Sequence, residues 1–108
     1  PMLSHLVHNG HMEPRAYGQK ECLEAGIQFA RTEGIMPAPE ATHAIKGAVD
    51  EALKCKAEGK SKAILFNLCG HGHFDMQAYM DYFSGNLAED KFDTEAFEES
   101  MASIPAVN

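Results

Sequence analysis

The spacing of apolar residues predicts three helices in the first half of the chain. A short helix over residues 1–7 is stopped by the dipeptide "NG". Over residues 19–32 apolar residues recur at three- and four-residue spacing, with Gly34 just past the end. A longer helix over residues 40–58 follows "PAPE", repeats apolar pairs every four residues, and is closed by Gly59.

The stretch "KAILFNLCG" changes the pattern and predicts a strand. Residues 63–68 are apolar except for Asn67, which is typical of a strand that is buried on both faces in a parallel sheet. A glycine-containing loop follows, and helical spacing resumes over residues 74–83, with Gly85 as the stop. We therefore predict an α/β layered sandwich: a small, mostly parallel sheet flanked by helices, with strand 63–68 central and covered by helix 40–58.

The chain divides into a body, residues 1–85, and an acidic C-terminal tail, residues 86–108. Asp93 is a suitable N-cap for a short tail helix that carries Phe97, Met101 and Ile104. That helix is expected to pack on the body or on a partner.

Charge, apolar runs and cysteine content indicate which partners and which cellular compartment suit this chain. Sixteen acidic and nine basic residues give a net charge of -7, which disfavours nucleic acid and anionic membrane surfaces. No apolar run approaches the roughly 20 residues that span a bilayer. Three unpatterned cysteines favour reduced thiols over a disulfide framework. These features predict a soluble, cytoplasmic protein.

The segment "CGHGHFD", residues 69–75, carries the candidate chemistry. If the segment were extended, side chains would alternate between two faces, and the thiol, both imidazoles and the carboxylate would share one face. All three side-chain types can bind zinc, but no CxxC pair accompanies them. His71 and His73 are therefore interpreted as exposed or helix-capping imidazoles, and no metal is expected. Cys69 can be a small buried hydrophobe at a strand end, or it can belong to a ligand loop, because ligands bind outside the carboxyl ends of parallel strands.

Two blocks of sequence resemble a known family. "EGIMPAPEATHAI" and "ILFNLCGHGHFDM" are similar to the C-terminal part of the tryptophan synthase β chain, closest to its second type. The resemblance runs from about residue 2 to residue 85 and includes "LSHL" and "RAYGQKECLEAGIQFARTEGI". It implies a fold-type II pyridoxal-phosphate enzyme, a lyase of tryptophan biosynthesis that joins L-serine and indole, working as a homodimer.

The resemblance also implies cofactor-binding positions. Cys69 matches a family serine whose hydroxyl bonds the pyridine nitrogen of the cofactor, and a thiol keeps that partner neutral but bonds more weakly. Glu40 matches a glutamate near the cofactor ring, and Gly70 matches a loop glycine. Alternatively, Glu40 is an ordinary acidic residue in the first turn of a helix, where the helix dipole stabilises its negative charge.

The family's lysine for covalent cofactor attachment and its "GGGSN" phosphate loop have no counterpart in this sequence. We therefore predict no catalytic residue within this chain and only weak binding of pyridoxal phosphate. Two interpretations stay open: the C-terminal portion of a longer enzyme, or a stand-alone, non-catalytic interaction module. The expected partners are a second copy of the chain, the missing N-terminal half, or an α-type subunit.

Overall fold

Four α-helices are the regular secondary structure of residues 1–87, the part of the chain that the computed structural model describes. They are α1 (Met2–His8), α2 (Gln19–Glu33), α3 (Pro39–Glu58) and α4 (Met76–Ser84). All four were predicted from apolar spacing, and their existence is confirmed. The predicted tail helix that begins at Asp93 lies outside the described residues.

Glycines end the three longer helices, as the sequence predicts. Gly34, Gly59 and Gly85 have left-handed φ values of 73°, 66° and 75°. Glycine adopts this conformation without the steric penalty that a Cβ atom brings, which makes it the common residue just past a helix end. At the start of α2, the Glu21 carboxylate accepts a 2.7 Å hydrogen bond from the Gly18 N–H, which satisfies one unpaired donor of the first turn.

The core lies where α2 packs on α3 and α4. Leu23 and Ile27 of α2 form a buried cluster with Tyr79 of α4. Thr42 of α3 is completely buried, and its hydroxyl donates to the Pro39 carbonyl at the start of the same helix. Hydrogen bonding within the turn lets this polar side chain lie in the core without an unsatisfied group.

The predicted strand and the sandwich around it are not seen in residues 1–87. Residues 60–70 have no regular secondary structure, and no strand is assigned anywhere in residues 1–87. Leu65 is 99% exposed and Ile64 is 36% exposed. Phe66 is half-buried and packs edge-on against Phe29 of α2, with ring centroids 5.8 Å apart.

The physical reason is the absence of neighbouring strands within the described residues. A strand forms its backbone hydrogen bonds only with another strand, whereas a helix forms them internally. The apolar composition of residues 63–68 suits a buried strand, but such a strand also needs other elements of the fold to cover it. Helix α3, predicted to cover this strand, packs on α2 instead.

Within residues 1–87, none of the helices combines the length and the apolar character needed to cross a membrane.

Candidate functional site

An isolated antiparallel bridge brings the candidate loop to the start of α3. Pro37 pairs with His71 in this bridge, which joins residues 36–38 to residues 70–72. We call these two stretches the bridge segments. The first leads into α3, and the second precedes α4. The bridge is therefore the element that brings the "PAPE" and "CGHGHFD" motifs together.

Two backbone hydrogen bonds of 2.9 Å close the bridge. The Ala38 N–H donates to the Gly70 carbonyl, and the Gly72 N–H donates to the Met36 carbonyl. These bonds flank the central pair, as in the non-hydrogen-bonded pairs of an antiparallel ladder. The segments thus meet through hydrogen bonds between main-chain atoms.

The predicted cofactor-binding residues flank this bridge. Glu40 is exposed in the first turn of α3, two residues beyond Ala38. Cys69 is also exposed, and Gly70 beside it is half-buried. The interpretation of Cys69 as a small buried hydrophobe is therefore wrong, because the strand that would have buried it is not formed.

The two loop histidines are exposed, in agreement with the interpretation of these residues as surface imidazoles. His71 Nδ1 accepts a 3.3 Å hydrogen bond from the His73 N–H, and the two ring centroids are 4.7 Å apart. Within residues 1–87, no group of three or more histidine, cysteine or acidic side chains is arranged to hold a metal ion.

A pocket of about 210 Å³ lies beside Glu40, between the first turns of α2 and α3. Burial in this region raises the pKa of the Cys22 thiol, and the nearby Glu21 carboxylate raises it further. Cys69 and Gly70 are not among the residues that line the pocket, which are Gln19, Cys22, Leu23, Pro39, Glu40, Thr42 and His43. Glu40 therefore lines a pocket to which Cys69 and Gly70 do not contribute.

None of the described lysines is buried. Lys46 is half-buried on α3 and bonds the Asp50 carboxylate at 2.7 Å, while the other lysines of residues 1–87 are exposed. This hydrogen bond from Lys46 lowers the pKa of Asp50. Lys46 is thus committed to a surface ion pair of the i, i+4 type.

Sequence reasoning missed the role of Tyr79, which it treated only as an apolar position of the last helix. Its side chain is 1% exposed, and its hydroxyl donates a 2.6 Å hydrogen bond to the Pro37 carbonyl. Burial, with a smaller contribution from Asp75, raises the pKa of Tyr79 to about 12. A buried tyrosine needs a partner for its hydroxyl, which was the available signal, but sequence does not show which group that is.

The chain is homologous to tryptophan synthase β chains, and the resemblance seen in its motifs is confirmed. It is 61% identical over 87 residues to tryptophan synthase beta chain 2 of Methanosarcina mazei, an alignment that covers 81% of this chain and 20% of that protein. Tryptophan synthase beta chain 2 of Aquifex aeolicus is 55% identical over 89 residues, 82% of this chain and 20% of that protein.

A third relative extends the alignment. The tryptophan synthase beta chain of Pyrococcus horikoshii is 44% identical over 105 residues, 97% of this chain and 22% of that protein. This alignment therefore includes positions beyond Gly85. The chain spans about one fifth of the length of the curated relatives it matches. A scan against protein-family models found no match.

Proposed function

We propose that this chain is the C-terminal, cofactor-ring-binding portion of a tryptophan-synthase-β-like lyase that depends on pyridoxal phosphate. The intact enzyme would join L-serine and indole into L-tryptophan. The observation that carries the proposal is the identity of 61% to a tryptophan synthase β chain over 81% of this chain. Because the aligned segment is only about one fifth of each relative, catalysis would need residues supplied from elsewhere.

The side chains of the loop suit the ring of the cofactor better than its phosphate. Residues 69–75 contain an exposed thiol, two glycines and two imidazoles, but no lysine or arginine. A thiol is a weak donor and acceptor that can pair with a pyridine nitrogen. Phosphate would instead favour arginine or lysine, which provide charge-assisted hydrogen bonds. Cys69 and Gly70 would therefore hold the ring.

Pyridoxal phosphate supplies an electron-withdrawing ring that stabilises negative charge on a bound amino acid. At the ring nitrogen, Cys69 would provide a neutral partner, so the nitrogen itself would stay unprotonated. Glu40 would place its carboxylate near the ring, at a helix start whose dipole favours negative charge. Neither residue has a catalytic role in this proposal.

Titration of the purified chain with pyridoxal phosphate tests the ring site. We expect weak binding that shifts the backbone amide resonances of Cys69 and Gly70. Cys69→Ser should retain this response, because a hydroxyl is a similar neutral partner, whereas Cys69→Ala should lose it. A stable covalent adduct with a lysine of this chain would contradict the proposal. So would stoichiometric zinc that is lost in Cys69→Ala.

A transplant tests the proposed activity. Residues 1–87 would replace the homologous segment of the Aquifex aeolicus β chain, to which this chain is 55% identical. The chimaera should form tryptophan from L-serine and indole, and Cys69→Ala should reduce that activity. A folded chimaera that binds pyridoxal phosphate but forms no tryptophan would contradict the proposed function.

A second candidate function is a non-catalytic interaction module, favoured by the exposed apolar segment. Residues 61–69 form no backbone hydrogen bond with another residue of 1–87, and Leu65 is almost fully exposed. Such a segment can bind a second copy of the chain, the missing N-terminal half or an α-type subunit. We propose a homodimer for the chain alone. Sedimentation that shows a compact monomer at high concentration would contradict it.

A further inference from the structure

We propose that Tyr79 is a positioning residue: its hydroxyl, acting through the Pro37 carbonyl, fixes the register in which the loop carrying Cys69 crosses the segment carrying Glu40. This inference rests on the proposed function, because the two positioned residues are those assigned to the cofactor ring. Tyr79 itself does not touch the cofactor in this proposal.

At Pro37, the hydrogen-bond pattern of the bridge leaves one main-chain group that needs a partner. At a non-hydrogen-bonded ladder position, the N–H and the carbonyl of the residue point away from the opposite strand. Pro37 has no N–H, so its carbonyl is the one main-chain group left to satisfy. Tyr79 donates to that carbonyl at 2.6 Å. The tyrosine therefore completes the hydrogen bonding of the central residue of the bridge.

Tyr79 also connects the bridge to the helical core. The residue belongs to α4 and packs with Leu23 and Ile27 of α2. Its hydrogen bond to Pro37 spans 42 positions of sequence, so it joins parts of the chain that are otherwise distant. A contact between a rigid helix and an extended segment can hold that segment at one register.

Two glycines leave the space that this arrangement needs. A Cβ atom on Gly72 would collide with the carbonyl oxygen of Pro37, so only glycine lets the loop approach this closely. A Cβ atom on Gly26 of α2 would lie 3.2 Å from the Tyr79 hydroxyl and 2.5 Å from Thr42 Cγ2. The packing is therefore tight at the donor of this hydrogen bond, beside Gly26, and at its acceptor, beside Gly72.

The two candidate site residues lie within two residues of the bridge along the chain, so the register of the bridge sets their positions. Cys69 directly precedes Gly70, whose carbonyl accepts the hydrogen bond from Ala38. Glu40 follows Ala38 by two residues and belongs to the first turn of α3. A slip of one residue in the bridge would turn the loop side chains to the opposite face.

Hydrogen exchange in the purified chain tests the register without any cofactor. In Tyr79→Phe, which removes only the hydroxyl, the amides of Ala38 and Gly72 should exchange about tenfold faster, the expected effect of one lost buried hydrogen bond. Tyr82→Phe is the matched control, since it makes the same change at a half-buried tyrosine of the same helix. It should leave both amides unchanged.

Two outcomes would overturn the inference at this stage. Unchanged exchange of the bridge amides in Tyr79→Phe would show that the hydroxyl does not hold the bridge. An equal acceleration of the α2 amides would show a general core role instead. Gly72→Ala provides a second variant: it should open the bridge with Tyr79 intact, whereas Gly70→Ala should not, since its Cβ would meet Ala38 Cβ at an ordinary 3.4 Å.

The same proteins, titrated with pyridoxal phosphate, separate this inference from the proposed function. The resonance shifts at Cys69 and Gly70 should need a several-fold higher concentration in Tyr79→Phe than in Tyr82→Phe. Equal affinities despite a loosened bridge would overturn the positioning role. If no protein responds to pyridoxal phosphate while Tyr79→Phe loosens the bridge and Tyr82→Phe does not, the register is supported and the proposed function fails.

Discussion

The paired helices α2 and α3 and the extended segment 60–75 are similar in apolar content but differ in burial. In the helices, Leu23, Ile27 and Ile45 are buried against neighbouring helices. In the extended segment, Leu65 and Phe74 are 99% and 92% exposed. Hydrophobicity alone therefore does not decide which residues of this chain leave water.

The difference follows from how each element satisfies its backbone. A helix forms its hydrogen bonds locally and needs only one apolar partner face, which α2 and α3 provide for each other. A strand needs a neighbour for its hydrogen bonds and a layer on each apolar face. Residues 1–87 supply one contact of this kind, the short bridge at Pro37. Within residues 1–87, the extended segment thus leaves apolar side chains such as Leu65 and Phe74 uncovered.

The same substitution in the two regions should give the largest contrast. Leu23→Ala removes a side chain that is 1% exposed and should lower the free energy of unfolding by about 2–5 kcal/mol. Leu65→Ala removes one that is 99% exposed and should change it by less than about 0.5 kcal/mol. Urea denaturation followed by circular dichroism measures both, at a protein concentration where sedimentation shows the chain to be monomeric. Equal losses would mean that Leu65 is buried in solution.

Self-association should depend on the extended segment and not on the helices. Leu65→Asp introduces a charge at the most exposed leucine and should weaken dimerisation at least tenfold, because burial of a leucine contributes about 1.5–3 kcal/mol. Ser61→Asp adds the same charge at an exposed polar position of the segment and serves as the control. Sedimentation velocity over a range of concentrations gives the dissociation constants. A dimer that tolerates Leu65→Asp must use another surface.

Two helix glycines should respond in opposite directions to alanine. In Gly26→Ala the new Cβ would lie 2.5 Å from Thr42 Cγ2, and overpacking of about 1–3 kcal/mol should exceed the gain in helix propensity of about 1 kcal/mol. In Gly47→Ala the nearest atoms belong to Tyr17 at 3.8 Å, so the helix gain should remain. Thermal unfolding should show a lower Tm for the first variant and a higher Tm for the second.

Stabilisation by Tyr79 should be lost in alkaline solution. The folded state holds the phenolic proton more tightly, because the pKa is raised from 10.0 to about 12. Above pH 10 the unfolded chain releases this proton first, so the free energy of unfolding falls as pH rises towards 12. The difference in stability between the wild type and Tyr79→Phe should therefore shrink between pH 10 and pH 12. A constant difference would indicate an ordinary pKa.

Local sequence features were sufficient to predict the four helices of residues 1–87 and the family that the chain resembles. Gly34, Gly59 and Gly85 end their helices because a left-handed cap is a property of the residue and its immediate neighbours. The motifs around Glu40 and Cys69 identified the tryptophan synthase β relatives, since a motif match needs no three-dimensional information. The assignment of these two residues to a cofactor ring stays a prediction.

Only the tertiary structure decided what each apolar and polar group contacts. The sequence could not show that no other element of residues 1–87 covers segment 63–68, because burial depends on elements distant in the chain. It also could not show that Tyr79 bonds Pro37, since that contact spans 42 positions and depends on how α4 packs against α2. Helices and caps are set by interactions within a few residues, whereas strand pairing and buried hydrogen bonds require partners that only the folded chain brings together.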